Sequence, residues 1–282
     1  VRRRRLLVDK DRPRDKEKHR HKESNKDNGA SITGKPLQIQ LKIKRKDNEN
    51  SPSYWEEFTV AYRPNMNIIS ALMDIQRNPV NAKGEPVRSV VWDYNCLEEV
   101  CGACSMRING KARQACSALV DRLEQPIVLE PMSTFPVERD LVVNRNIMFD
   151  GLKAVHAWIP IDGTYALGAG PKISPGDQQV AYEYSTCMTC GVCMDACPNV
   201  NEMSSYYGPY AMGQVKYFNT HPTGALNRNI RMDAIIGEGG IAGCGNSQNC
   251  VKSCPKDIPL ATAIAELNGE ANRYAWKKWF RG

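Results

Sequence analysis

Residues 187–198 read Cys187-Met188-Thr189-Cys190-Gly191-Val192-Cys193-Met194-Asp195-Ala196-Cys197-Pro198, a C-x2-C-x2-C-x3-C-P run. In this spacing three thiolates hold one iron–sulfur cubane and the fourth reaches to a different cluster. A second run lies downstream at Cys244, Ser247, Cys250, Cys254 and Pro255, with a serine where the spacing calls for cysteine. Exchanging the two last cysteines places Cys187, Cys190, Cys193 and Cys254 around one cluster. Cys197, Cys244 and Cys250 are left around the other. Four thiolates suit [4Fe–4S]; three, with no sulfur for a fourth iron, suit [3Fe–4S].

A third set comes earlier: Cys96, Cys101 and Cys104 in C-x4-C-x2-C spacing, followed by Cys116. This is the plant-type [2Fe–2S] arrangement. Gly102 and Ala103 leave room for backbone to fold over inorganic sulfide and donate N–H bonds to it, which raises the reduction potential. The rival is a structural zinc site, but zinc ligands usually come as two C-x2-C pairs and only one is present in this set. The three sets use all eleven cysteines. An odd count also argues for metal over disulfides.

Composition narrows the setting. No apolar run approaches the ~18 residues of a membrane span. Arg2 to Arg5 resemble the start of a signal, but no apolar stretch follows Leu6-Leu7-Val8, so a cytosolic chain is expected. The formal charge is +7, of which residues 1–30 carry +6. Residues 1–34 therefore read as a solvated, flexible basic arm; an anionic lipid or acidic partner surface is the functional alternative. The arm has no aromatic residue to stack on bases, which weakens a nucleic-acid reading.

Residues 35–140 alternate like a sheet domain. Leu37 to Lys44 and Trp55 to Tyr62 predict strands, and Ile68 to Ile75 an amphipathic helix. Val90-Val91-Trp92 predicts a further strand, Met106 to Lys111 a hairpin turning at Asn109-Gly110, and Pro126 to Leu129 another strand. Two strands, a helix and more strands make an α+β domain with one sheet. Residues 141–282 are helical in character, with helices expected over 178–186, 211–218, 231–236 and 258–268. Pro198 and Pro255 turn the chain after each final cysteine. The run Gly237 to Gly243 lacks the last glycine of G-x-G-x-x-G and follows no strand, so it is not read as a nucleotide site. His221 is a weak proton-relay candidate beside the ordinary structural reading. The C-terminal Tyr274 to Arg281 mixes aromatic and basic residues, suiting an end docked on its own domain or a belt facing a membrane partner. No catalytic residue is predicted; three clusters without an organic substrate site describe an electron wire.

With these residues in place, the chain over about 35–280 resembles the iron–sulfur subunits of succinate dehydrogenase and fumarate reductase (complex II). The resemblance implies a β-grasp [2Fe–2S] ferredoxin domain followed by an all-α ferredoxin-like domain carrying two clusters. It implies ligands Cys96, Cys101, Cys104 and Cys116; Cys187, Cys190, Cys193 and Cys254; and Cys197, Cys244 and Cys250. It also implies a flavoprotein partner with covalent FAD and the dicarboxylate site. A membrane anchor, often with haem b, would lie near the quinone, with this chain peripheral on the cytoplasmic face of the cell membrane. The segments Asn95 to Cys104 and Cys244 to Cys250 resemble the menaquinone-linked bacterial type. Asn199 to Met203 and Gly245 depart from the ubiquinone-linked pattern, so only Pro198 and the backbone near Cys244 mark the expected quinone neighbourhood. The same wire could run from quinol to fumarate. The remote alternative is a zinc-stabilised nucleic-acid-binding module.

Overall fold

The computed structural model describes residues 38–159 and 172–280. The basic arm and the Gly168–Pro171 loop lie outside the described residues. Strand β1, Gln38–Arg45, buries Ile39, Leu41 and Ile43 and exposes Gln38 and Gln40, as a half-covered strand must. Each of these three side chains contributes about 1.5–3 kcal/mol by burial. Strand β2, Tyr54–Ala61, pairs antiparallel with β1, setting Phe58 opposite Leu41. Helix α1, Ile68–Arg77, starts where Asn67 accepts the Ser70 amide at 2.9 Å. Its Ile68, Ile69, Leu72 and Ile75 share one core with the β1 side chains.

Strands β3, Ser105–Ile108, and β4, Lys111–Gln114, form the expected hairpin. Asn109 and Gly110 take φ of 48° and 77° at its turn, a conformation these two residues tolerate best. Strand β5, Ile127–Glu130, runs parallel to β1 and antiparallel to β3, completing the order β2-β1-β5-β3-β4. A small ribbon follows, β6, Val137–Arg139, with β7, Val142–Val143.

Val90-Val91-Trp92 is not a strand. Val90 and Trp92 are buried as expected, but the backbone between them bonds to a turn instead of a ladder. The Val91 amide donates to Asp140 Oδ2 at 2.9 Å, and its carbonyl accepts from the Leu141 amide at 3.1 Å. Asp140 also accepts Arg45 Nε at 2.9 Å and the Lys46 amide at 3.0 Å. Arg45 is fully buried, pairs with Glu56 as well, and donates to the Arg88 and Ser89 carbonyls. Four separated stretches of chain are thus tied by one buried ion cluster.

The rest is helical: α2, Asn146–Ala154; α3, Pro175–Ser185; α4, Val192–Asp195; α5, Pro209–Thr220; α6, Pro222–Ala225; α7, Arg228–Ile236; α8, Asn249–Ser253; and α9, Leu260–Trp279. Helix α5 is central, packing on α3 and α9. The sulfur-bearing loops join a second core through Cys193, Cys197 and Cys250. Helix α9 runs eleven residues past the expected end at 268. It docks by Leu260, Ala263, Ile264, Leu267 and Ala271 and leaves Trp276, Trp279 and Phe280 exposed. His221 caps α6: its Nδ1 accepts the amides of Thr223 and Gly224, which gives this ring a structural job. The glycine run packs tightly, a Cβ on Gly239 falling 2.5 Å from the Ser205 carbonyl oxygen. Close packing accounts for that glycine without a nucleotide.

Candidate metal centres

The loop carrying Cys96, Cys101 and Cys104 is shaped by backbone that ordinary residues resist. Leu97 and Glu99 take φ of 63° and 55°, and Gly102 takes 73°. These kinks turn successive amides inward. Cys96 Sγ accepts from the amides of Glu98, Val100 and Cys101 at 3.3–3.4 Å. Cys101 Sγ accepts from Cys96 and Ala103 at 3.5 and 3.4 Å. Donation by the Glu98 and Val100 amides lowers the Cys96 thiol to about 7. Cys116 arrives just after β4 beside Cys104; burial, then the hydrogen bond with Cys104, pushes its thiol up to about 12.

The other seven cysteines divide between two cavities. One is lined by Cys187, Cys190, Cys193 and Cys254, with Tyr210 and Leu260 behind them. The other is lined by Cys197, Cys244 and Cys250, together with Ser247, Asn199 and Ile264. Left-handed residues bend these loops as well: Thr189 and Gly191 in the first run, Asn246 and Gln248 in the second. Burial raises the Cys190 and Cys250 thiols to about 11, and nearby thiolates add to the shift. Cys187 and Cys197 are raised by burial too, and Cys193 well above the ordinary range.

This chemistry fits iron–sulfur clusters. Buried thiols without a cation prefer to stay protonated, so a set of them as thiolates requires positive charge at the centre. Inward amides suit bridging sulfide. Among the described residues, no three His, Cys, Asp or Glu side chains gather tightly enough to hold one metal ion.

Three residues with no sequence signal complete the setting. Arg145 donates to the Gly102 and Ala103 carbonyls at 2.8 Å each and fixes the first loop. Burial lowers the guanidinium, while nearby Asp93 and the thiolates of Cys190, Cys104 and Cys101 favour its charge. Asp195, inside the cysteine run, accepts the amides of Ser133 and Thr134 at 2.5 and 3.2 Å, with Arg107 Nε at 3.9 Å. Tyr206 packs its ring on Gly243, the residue before Cys244, and is 4 % exposed. The first two loops also touch: a Cβ on Gly102 would fall 2.6 Å from Cys190 Cβ. Only glycine allows that approach.

Residues 40–150 match the family model of a 2Fe-2S iron-sulfur cluster binding domain, and residues 183–258 that of a 4Fe-4S dicluster domain. Over 242 residues the chain is 62% identical to the succinate dehydrogenase iron-sulfur subunit of Bacillus subtilis, covering 86% of this chain and 96% of that one. It is 29% identical over 200 residues to the fumarate reductase iron-sulfur subunit of Haemophilus influenzae, covering 66% and 75%. A solved chain of the Mycobacterium smegmatis Sdh1 complex in the apo form shares the fold, with a TM-score of 0.70 at 20% identity over 87% of this chain and 98% of that one.

Proposed function

The chain belongs to the family of succinate dehydrogenase and fumarate reductase iron–sulfur subunits, and from that we propose how its eleven cysteines divide the work of carrying electrons. Cys96, Cys101, Cys104 and Cys116 hold [2Fe–2S]; Cys187, Cys190, Cys193 and Cys254 hold [4Fe–4S]; Cys197, Cys244 and Cys250 hold [3Fe–4S]. The observation that carries the last two sets is the grouping of sulfurs by cavity: Cys254 lines one with the first run, and Cys197 lines the other with the second. The bound clusters supply one-electron carriers, and dicarboxylate chemistry stays on a partner. The chain's own residues set the distances and the electrostatics. Amides around Cys96 favour its thiolate, Arg145 clamps the first loop, and Gly102 lets that loop lie against Cys190.

The basic arm spans 1–34, the [2Fe–2S] domain 35–140 and the two-cluster domain 141–282 in this reading. A flavoprotein subunit with FAD donates to the first centre. The third centre faces a membrane anchor, with haem b and menaquinone, near Pro198 and the backbone at Cys244. The chain sits peripherally on the cytoplasmic face of the cell membrane; among the described residues no helix is long and apolar enough to cross it. Succinate oxidation is favoured over fumarate reduction by 62% identity to a succinate dehydrogenase subunit against 29% to a fumarate reductase subunit. The test is a redox titration of the assembled complex followed by electron paramagnetic resonance. Three distinct signals, all reduced by succinate, are expected. A colourless complex, or one lacking the oxidised three-iron signal, overturns the assignment.

A further inference from the structure

Tyr206 has a polar atom with nowhere ordinary to go. Its side chain is 4 % exposed, and its hydroxyl makes no well-formed hydrogen bond to any described residue. Leaving a buried hydroxyl unpaired costs about 1–3 kcal/mol, and native folds rarely leave one so. The ring cannot move aside freely. A Cβ on Gly243 would fall 2.8 Å from Tyr206 Cβ and Cδ2, so the base of the ring packs on the residue that precedes Cys244. The chain entering Tyr206 is held as well, its amide donating to Ser204 Oγ at 3.2 Å.

The groups that bear on this phenol are sulfurs. Its ring packs on Gly243, the residue before Cys244, and it shares one buried cluster with Cys197 and Cys250, against which the partly buried Cys244 packs. These are the three cysteines proposed for the third centre. A neutral hydroxyl held there by packing is a donor waiting for an electron-rich acceptor.

We propose that Tyr206 is a positioning residue for the third centre, its hydroxyl donating a hydrogen bond to sulfur at Cys244 when the cluster is bound and thereby raising that centre's reduction potential. A hydrogen bond to a cluster sulfur stabilises the reduced, more negative state over the oxidised one. The donor makes the centre a better acceptor at the quinone end of the chain. The inference rests on the ligand assignment above and goes beyond it.

The test is Tyr206→Phe in the assembled complex. Phenylalanine keeps the ring against Gly243 and removes only the hydroxyl. The oxidised three-iron signal is expected at full intensity, with its midpoint potential shifted down and those of the other two centres unchanged. In deuterated buffer, an exchangeable-proton coupling seen at the three-iron centre of the unsubstituted complex is expected to be missing from the variant. Replacing Tyr206 by 3-fluorotyrosine, a stronger donor, is expected to shift the midpoint upward. An unchanged midpoint with the proton coupling retained in Tyr206→Phe overturns the inference and leaves the ligand assignment standing. Absence of the three-iron signal from the unsubstituted complex overturns the ligand assignment instead. If Tyr206→Phe loses the cluster, the 3-fluorotyrosine protein decides: an upward shift supports the donor role, and no shift overturns it.

Discussion

Ser247 lines the cavity of Cys197, Cys244 and Cys250 at the place where the spacing of the first run puts a cysteine. Ser247→Cys supplies the absent thiolate, so the third centre is expected to convert toward a four-iron form. The oxidised three-iron resonance should disappear and the potential fall; its survival would mean that residue 247 does not face the fourth iron position. The buried thiols predict a pH dependence. Burial raises the Cys190 and Cys250 thiols to about 11 in the fold, above the ordinary thiol value of 9.0. A raised value means the folded state holds the proton more tightly than the unfolded chain does. The contribution is complete below the ordinary thiol range and is lost as pH rises through the folded value. Protein stripped of metal should therefore show a falling Tm between pH of about 9 and about 11. The loaded protein has no such protons to lose, and its Tm should not follow that course. At this scale the cysteines were legible because ligand spacing is local. Arg145, Asp195 and Tyr206 were not, because each acts on residues 42, 62 and 37 positions away. A single arginine, aspartate or tyrosine has no period or spacing to betray it.

Among the elements, alternation and caps announced what the backbone does wherever hydrogen bonding is local or paired in a ladder. Gln38–Arg45 alternates, Asn67 caps α1, and Asn109-Gly110 turns the β3–β4 hairpin. Val90-Val91-Trp92 misled because an apolar run reports burial and not the partner of its amides. Its partner is a carboxylate 49 residues on, which no local pattern encodes. The same cluster yields a prediction. Asp140→Ala removes the acceptor of Arg45 Nε and of the Lys46 and Val91 amides, leaving a buried guanidinium short of charge. Breaking a buried pair in this way costs about 3–5 kcal/mol. Faster thermal loss of the [2Fe–2S] visible bands is expected, with the two later centres less affected. Equal loss of all three would place Asp140 in the stability of the whole chain and not of the first sheet. The end of α9 was legible only in part. Its apolar face was periodic as far as Ala271, and the structure leaves Trp276, Trp279 and Phe280 packed on one another in solvent.

For the whole molecule the decisive feature is how closely the first two cysteine loops approach. Arg145 holds the first loop by two carbonyls, Asp195 ties the Cys187–Pro198 run to Ser133 and Thr134, and Gly102 lies against Cys190. Arg145 and Asp195 anchor each loop to neighbouring backbone, and the Gly102–Cys190 approach fixes one loop against the other. Electron transfer between carriers is acutely sensitive to separation, so this contact should matter more for rate than for fold. Gly102→Ala puts a methyl where Cys190 Cβ and Cα lie 2.6 and 2.9 Å away, at a φ of +73° that alanine resists. The neighbour here is backbone-linked and cannot swing clear, so the loops must part. The expected complex retains its iron, about nine atoms if all three centres fill. Its magnetic interaction between reduced first and second centres weakens, and succinate-driven reduction of the second centre slows. Reduction of the third centre by an artificial donor should be unchanged, because nothing beyond Cys190 has moved. If electrons from succinate reach the second centre as fast as before, the path between these centres does not run through the Gly102–Cys190 contact.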